Sequence, residues 1–173
     1  IFQDVVAYVV LLITLLLFHA AFTYSFFLKV IGGLNPITFF KKMKDVVLFA
    51  FSTSSSAATI PVTLKTANQD LGVNQNVASF VVPVGATINM DGTAIMQGLA
   101  TVFIAQMSGI DLTLFQYMQV VLLAVATSIG TAAVPSAGTI TLIIILQQFN
   151  LPLEAIGIIL ACLLYTSPSP RDL

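Results

Sequence analysis

The chain has 173 residues, 58% of them hydrophobic and 8% charged, against about 25% charged residues in soluble domains, so it reads as an integral membrane chain. Its formal net charge of −1 argues against nucleic acid as a partner, which calls for a basic face. A lone Cys162 and a lone His19 exclude a disulfide framework and any multi-histidine metal site drawn from this chain alone, and most enzyme chemistry goes with them.

The few charges are unevenly placed. Lys29, Lys41, Lys42, Lys44 and Lys65 lie in or beside one polar connection and the hairpin after it, while the stretch from Gly72 to Leu153 has no Lys or Arg. The positive-inside rule makes that connection cytoplasmic. The chain begins at Ile1 without a Met or a charged leader, and is read as a fragment.

From Val5 to Leu28 the sequence is apolar apart from His19 and scattered hydroxyls, long enough to cross a ~30 Å hydrocarbon core as one helix. Gly32-Gly33 ends it, and Asn35-Pro36 reads as an N-cap followed by proline at the first helical position. His19 is read either as a proton relay or as a neutral side chain packed against a neighbour.

The next arm opens on Lys41-Lys42-Met43-Lys44-Asp45 and has only Val46 to Phe51 before Ser52-Thr53-Ser54-Ser55-Ser56. Its apolar part rises roughly 9 Å, about a third of the hydrocarbon thickness, and cannot cross. A second arm returns through Ala57-Ala58-Thr59-Ile60-Pro61 to Lys65 and Asp70 before Gly72, so polar residues reappear on the side where they began. This is the pattern of a re-entrant hairpin over 36–71 with a serine-rich tip, where exposed backbone needs protein or a water-filled cavity around it.

The following segment, 74–108, is long enough to span but is interrupted at Pro83, Gly85 and Asn89-Met90-Asp91-Gly92-Thr93, so a broken helix is expected. Within it Asp91 is the most telling residue. A carboxylate near the bilayer centre costs at least ~2.5–3.5 kcal/mol, so it is read by default as part of an ion or substrate path. The plainer readings are a cap on a helix starting near Ala94 or a distant cationic partner. Gly109-Ile110-Asp111-Leu112-Thr113 then makes a turn, with Asp111 or Thr113 able to cap the next arm. Leu114 to Ala126 rises roughly 20 Å, short of a crossing, and meets the small-residue run Thr127 to Gly138 before a return arm, Thr139 to Phe149. A second re-entrant hairpin, 112–149, entering from the other side, is the reading. Residues 152–161 open a further helix.

The two tips share a pattern, Ser55-Ser56-Ala57-Ala58-Thr59-Ile60-Pro61 in one and Gly130-Thr131-Ala132-Ala133-Val134-Pro135 in the other. Short, Gly/Pro-interrupted apolar segments in corresponding positions of two halves point to the binding site of an inverted-repeat transporter. A half-helix that begins inside the membrane presents unpaired N–H groups and a positive dipole end, which suits a carboxylate. Unwound carbonyls beside Thr, Ser, Asn and Asp oxygens suit a hard cation, and sodium fits better than a transition metal.

Taken together, Asn89-Met90-Asp91-Gly92-Thr93, Ser54-Ser55-Ser56-Ala57-Ala58-Thr59-Ile60-Pro61, and Ser128-Ile129-Gly130-Thr131-Ala132-Ala133-Val134-Pro135-Ser136-Ala137-Gly138 resemble the dicarboxylate/amino acid:cation symporters, the glutamate transporter family. The resemblance covers Ile1 to about Ala161 and implies an all-α integral membrane fold: a partial transport domain with one spanning helix (the family's sixth), two re-entrant helical hairpins, a broken seventh helix and the start of the eighth. It implies that Gly85 and Asn89 offer oxygens to one sodium ion. Thr87 and Met90, with Ser128, Ile129 and Thr131, would surround another, and Asn89 and Asp91 would serve a third. The substrate would lie between Ser54, Ser55 and Ser56, Thr93, and Val134, Pro135, Ser136, Ala137 and Gly138, with the second hairpin as the extracellular gate. No cofactor is implied beyond sodium as coupling ion. The implied partners are a small anionic substrate, sodium, the lipid bilayer and two further copies of the full-length parent, in a multi-pass protein of the plasma or inner membrane.

The chain departs from the family's pattern in three places. Ser54 stands where some members carry Arg; Ala133 and Ser136 replace common glycines; and the polar run 162–173 stands where the substrate-holding residues of the eighth helix are expected, and is read as a non-native tail. The leading function is a symporter coupling sodium entry to uptake of an acidic amino acid or C4 dicarboxylate by alternating access. Proton coupling, a neutral amino acid such as serine or threonine, and an ion channel are the alternatives. An intramembrane hydrolase using Ser56 or Asp91 lacks the general base or second acid that it would need.

Overall fold

The computed structural model describes residues 2–134, 137–157 and 159–160, and among them every regular element is helical. Helix α1 (Phe2–Phe18) passes without a break through a π-helical turn (His19–Tyr24) into α2 (Ser25–Val30). The resulting 28-residue rod, Gln3–Val30, contains an 18-residue stretch with a mean hydropathy of 2.6 and is roughly 42 Å long, enough to cross a ~30 Å core with tilt. It stops where Gly33 takes φ +60° and the Leu34 N–H closes back on the Leu28 carbonyl at 2.9 Å, a turn that glycine adopts without a Cβ penalty.

Asn35 caps α3 (Pro36–Lys42) through the Ile37 N–H at 3.0 Å, with Pro36 in the first turn. The expected first helix pair follows as α4 (Lys44–Thr53) and α5 (Ser56–Gln69), packed against each other, with α5 also against α6. Helix α6 (Gln75–Ile88) is capped by Asn74 and runs through both Pro83 and Gly85. The expected interruption at those two residues is therefore absent. The break is confined to Asn89 and Met90, whose backbones are non-helical (φ −98°, ψ 76° and φ −108°, ψ 58°), and α7 (Asp91–Met107) starts directly after them. Pro83 removes one N–H and crowds the Ser79 carbonyl, a cost of about 3 kcal/mol, which the packing of α6 on α5 and α8 offsets.

Gly109 (φ +66°) turns the chain toward α8 (Leu114–Ile129), which opens on a reciprocal capping box between Thr113 and Gln116. Of the two expected caps, Thr113 is the one used. A second pair is completed by α9 (Ala137–Gln148), packed against α7 and α8. Helices α4 to α9 have at most 17 residues, roughly 26 Å, and each alone falls short of the hydrocarbon thickness. The buried core lies where α1, α7, α9 and the last described turn meet, around Tyr8, Ile104, Leu142, Leu146 and Ile159. Tyr8 and Phe103 stack at 4.9 Å across the α1–α7 contact. The start of the further helix is seen as a short 3-10 turn (Leu153–Ala155) and helical residues after it. The tail 162–173 lies outside the described residues.

Candidate functional site

The two connections between paired helices meet each other. At the first, Ser54 leaves α4 in the left-handed region (φ +48°, ψ 27°) and Ser55 is extended, accepting the Ala58 N–H as N-cap of α5. A left-handed non-glycine residue costs about 1–2 kcal/mol and is held there by its surroundings. The Ser55 hydroxyl and the Ala57 N–H both donate to the Ala133 carbonyl of the second connection, at 3.1 and 3.2 Å. Ser55 thus serves as cap and tip-to-tip tie.

Beside this junction lies a cavity of about 190 Å³ lined by Ser54, Ser56, Met90, Thr93, Met96, Thr131, Ala132, Ala133, Val134, Gly138 and Thr139. That is below the ~300–1,000 Å³ of pockets for drug-sized ligands, a scale suited to a small metabolite. Three helices begin on it: α5 with Ser56, α7 with Thr93 in its first turn, and α9 with Gly138 and Thr139 in its first turn. At α5 the Ala57 and Ala58 N–H groups are taken by the Ala133 carbonyl and the Ser55 hydroxyl, but the positive ends of the three helix dipoles still favour negative charge beside a cavity whose described lining holds no basic side chain. Gly138 lets α9 approach α7 this closely, since a Cβ there would lie 2.8 Å from Thr93 Cγ2 and 3.3 Å from Met96 Cε.

Of the nine residues expected around a substrate, the structure brings Ser54, Ser56, Thr93, Val134 and Gly138 to the cavity wall. Ala137 is buried at the start of α9 and Ser55 is occupied as described, while Pro135 and Ser136 lie outside the described residues. The residues expected around cations fall into separate groups. Gly85 and Asn89 line an open crevice of about 440 Å³ between Tyr24 of the π-helical turn, the first helix pair and α6. Met90 and Thr131 face the cavity instead. Thr87 donates to the Pro83 and Val84 carbonyls of its own helix, and Ser128 to that of Val125. Ile129 is exposed, and no described hydrogen bond links Thr87 with Ser128 or Thr131.

The capping reading of Asp91 does not hold. The residue occupies the first position of α7 and makes no capping bond, since Met90 is the N-cap residue. Its Oδ2 instead receives the Tyr24 hydroxyl at 3.0 Å and meets His19 Nε2 at 3.2 Å, from the π-helical turn of the first rod. Asp91 thus meets two distant side chains, neither of them a lysine or arginine, and His19 is hydrogen-bonded to a carboxylate rather than only packed. Tyr24 drew no attention in the sequence because residues five apart do not share a face of an α-helix.

A second residue missed in the sequence is Gln97, 0% exposed in α7. Its Nε2 donates to the Gly138 carbonyl (2.9 Å) and Thr141 Oγ1 (2.6 Å), and its Oε1 accepts from Thr127 (2.8 Å). Thr131 and Thr141 hydroxyls are 3.0 Å apart, closing a network that pins both arms of the second pair to α7. A glutamine midway along a mostly apolar helix was the available signal, since buried amides need partners.

Residues 1–165 match the family model described as "Sodium:dicarboxylate symporter family". Among curated proteins the chain is similar to excitatory amino acid transporter 1 of Rattus norvegicus, 40% identical over 154 residues that are 89% of this chain and 28% of that protein. It is similar also to excitatory amino acid transporter 2 of Homo sapiens, 41% identical over 89% of the chain and 27% of the relative, and to excitatory amino acid transporter 3 of Mus musculus, 39% over 93% and 31%. The chain thus spans less than a third of the length of these relatives. With the match running through both helix pairs and the broken helix between them, the chain belongs to the sodium:dicarboxylate symporter family, multi-pass transporters of the cell membrane rather than enzymes.

Proposed function

We propose that this chain is the substrate- and ion-binding part of a symporter that couples sodium entry to uptake of an acidic amino acid or C4 dicarboxylate by alternating access. The observation that carries the reading is the convergence of three helix N-termini on one small hydroxyl-lined cavity, a geometry that stabilises carboxylate through backbone dipoles. Family membership and the names of the relatives, excitatory amino acid transporters, support the same substrate class. In this reading residues 1–161 form a partial transport domain, the two helix pairs re-enter the membrane, and the second is the gate. Sodium ions occupy the oxygen-rich break at Asn89–Asp91 and the residues around it, and the full-length parent is a homotrimer. Each ligand then drives closure by its differential affinity for the closed and open tip.

Full-length parent reconstituted in liposomes should accumulate aspartate, glutamate or a C4 dicarboxylate under an inward sodium gradient. Equal uptake with choline replacing sodium would refute sodium coupling and leave protons. A neutral amino acid is the second reading, favoured by the lack of a basic side chain among the described residues lining the cavity. Competition of aspartate uptake by serine or threonine, at equal concentration and with higher affinity, would establish it.

A further inference from the structure

The cluster that this function leaves unexplained is the one formed by the π-helical turn. In an α-helix, at 3.6 residues per turn, residues five apart sit about 140° apart around the axis. The π turn, bonded i to i+5, winds more slowly and is found mostly as single turns at functional sites. Here it runs from His19 to Tyr24, and it brings those two residues together, their rings 5.1 Å apart and edge-on at 67°. Both then converge on a single atom, Asp91 Oδ2, at 3.2 and 3.0 Å, while no described hydrogen bond reaches Oδ1. A second, independent observation is that Tyr24 lines the same crevice as Gly85 and Asn89.

We infer that Tyr24, with His19 beside it, is a positioning residue for the cation-binding carboxylate: the π-turn clamp fixes Asp91 Oδ2 and presents Oδ1 to a sodium ion at the Asn89 break. The inference rests on the reading of Asp91 as a sodium ligand. Groups that orient a ligand from behind are worth about ten-fold or more in metal affinity, because they set the carboxylate plane before the ion arrives. A clamp of two side chains on one oxygen does this while leaving the other oxygen open to the cation. A merely structural bond between the π turn and α7 would instead act on folding and leave ion affinity alone.

The test is a sodium titration of substrate uptake by the reconstituted full-length parent. Tyr24→Phe should raise the half-saturating sodium concentration about ten-fold, with the maximal rate and the substrate KM at saturating sodium within about two-fold of the unaltered protein. In an Asp91→Asn background the same change should have no further effect, because the carboxylate it positions is gone. His19→Leu, which removes the other donor, should also raise the sodium requirement, and it carries the test if Tyr24→Phe does not fold. Half-saturation that is unmoved, or that falls because the hydroxyl competes with the ion, overturns the inference. Sodium-independent uptake by the unaltered protein overturns the symport reading and this inference with it; sodium-dependent uptake with unmoved half-saturation overturns the clamp alone.

Discussion

The two helix-pair tips meet at Ala133, yet they are held by different means. The first is built from local geometry: a left-handed Ser54, an extended Ser55 that caps its own helix, and hydroxyls of Ser52 and Thr53 turned back on carbonyls four residues earlier. The second is held from outside, by Gln97 of α7 reaching Thr127, Gly138 and Thr141. A locally built tip keeps its shape when its neighbours move. A tip held by a long-range network has its arms fixed and its connecting residues dependent on that network, and this is the asymmetry expected if one tip is a fixed wall and the other a moving gate.

The largest effect should come from cutting the network. Gln97→Ala removes the amide that three groups share and leaves a cavity at a 0% exposed position, a loss of about 2–4 kcal/mol. Hydrogen exchange in the full-length parent should show faster exchange across α9 and the end of α8, with α4 and α5 unchanged. Equal loosening of both pairs would erase the comparison.

Ser55→Ala comes next and tests the tie between the tips. It removes the cap on Ala58 and the bond to Ala133 together, about 1–2 kcal/mol on the scale of N-cap losses. Exchange at the Ala57 and Ala58 amides should rise, and the second tip should loosen far less than with Gln97→Ala because its arms stay pinned. Ser54→Gly should act in the opposite direction. Glycine adopts φ +48° freely, so the melting temperature should rise by the equivalent of about 1 kcal/mol. Substrate affinity should fall, since the hydroxyl leaves the cavity wall.

The same asymmetry explains what could be read from the sequence. The helix starts at Asn35-Pro36 and Thr113, the stops at Gly33 and Gly109, the serine tip and the position of the break are set by residues within a turn of one another, and local rules find them. Family resemblance placed five of the nine expected substrate residues on one cavity wall. Pro83 and Gly85 misled because a propensity for breaking a helix was read without the packing of α6 on α5 and α8, which overrides it. The partners of Gln97 and of the His19–Tyr24 pair were out of reach because they lie more than 25 residues away, joined through contacts that no local pattern encodes. The π turn has no sequence signal of its own; it becomes visible only when two side chains five apart are seen on one oxygen.

The smallest expected effect sharpens the contrast most, because it separates folding from binding within the second tip. Thr139 is 3% exposed in the first turn of α9, and its hydroxyl has no hydrogen-bond partner among the described residues. Other hydroxyls of this pair are bonded: the buried Ser128 and Thr131 and the half-buried Thr127 and Thr141 each reach a carbonyl or a side chain. Removing an unsatisfied buried hydroxyl while keeping its shape should stabilise, so Thr139→Val should raise the melting temperature of the ligand-free parent by the equivalent of about 0.5–1 kcal/mol. If the hydroxyl gains a partner only when substrate sits in the adjoining cavity, the gain should vanish or reverse at saturating aspartate. A melting temperature raised equally with and without aspartate would make Thr139 a flaw in packing, and a fall in both would mean that its hydroxyl is bonded in the folded protein and that the second tip is as completely satisfied as the first.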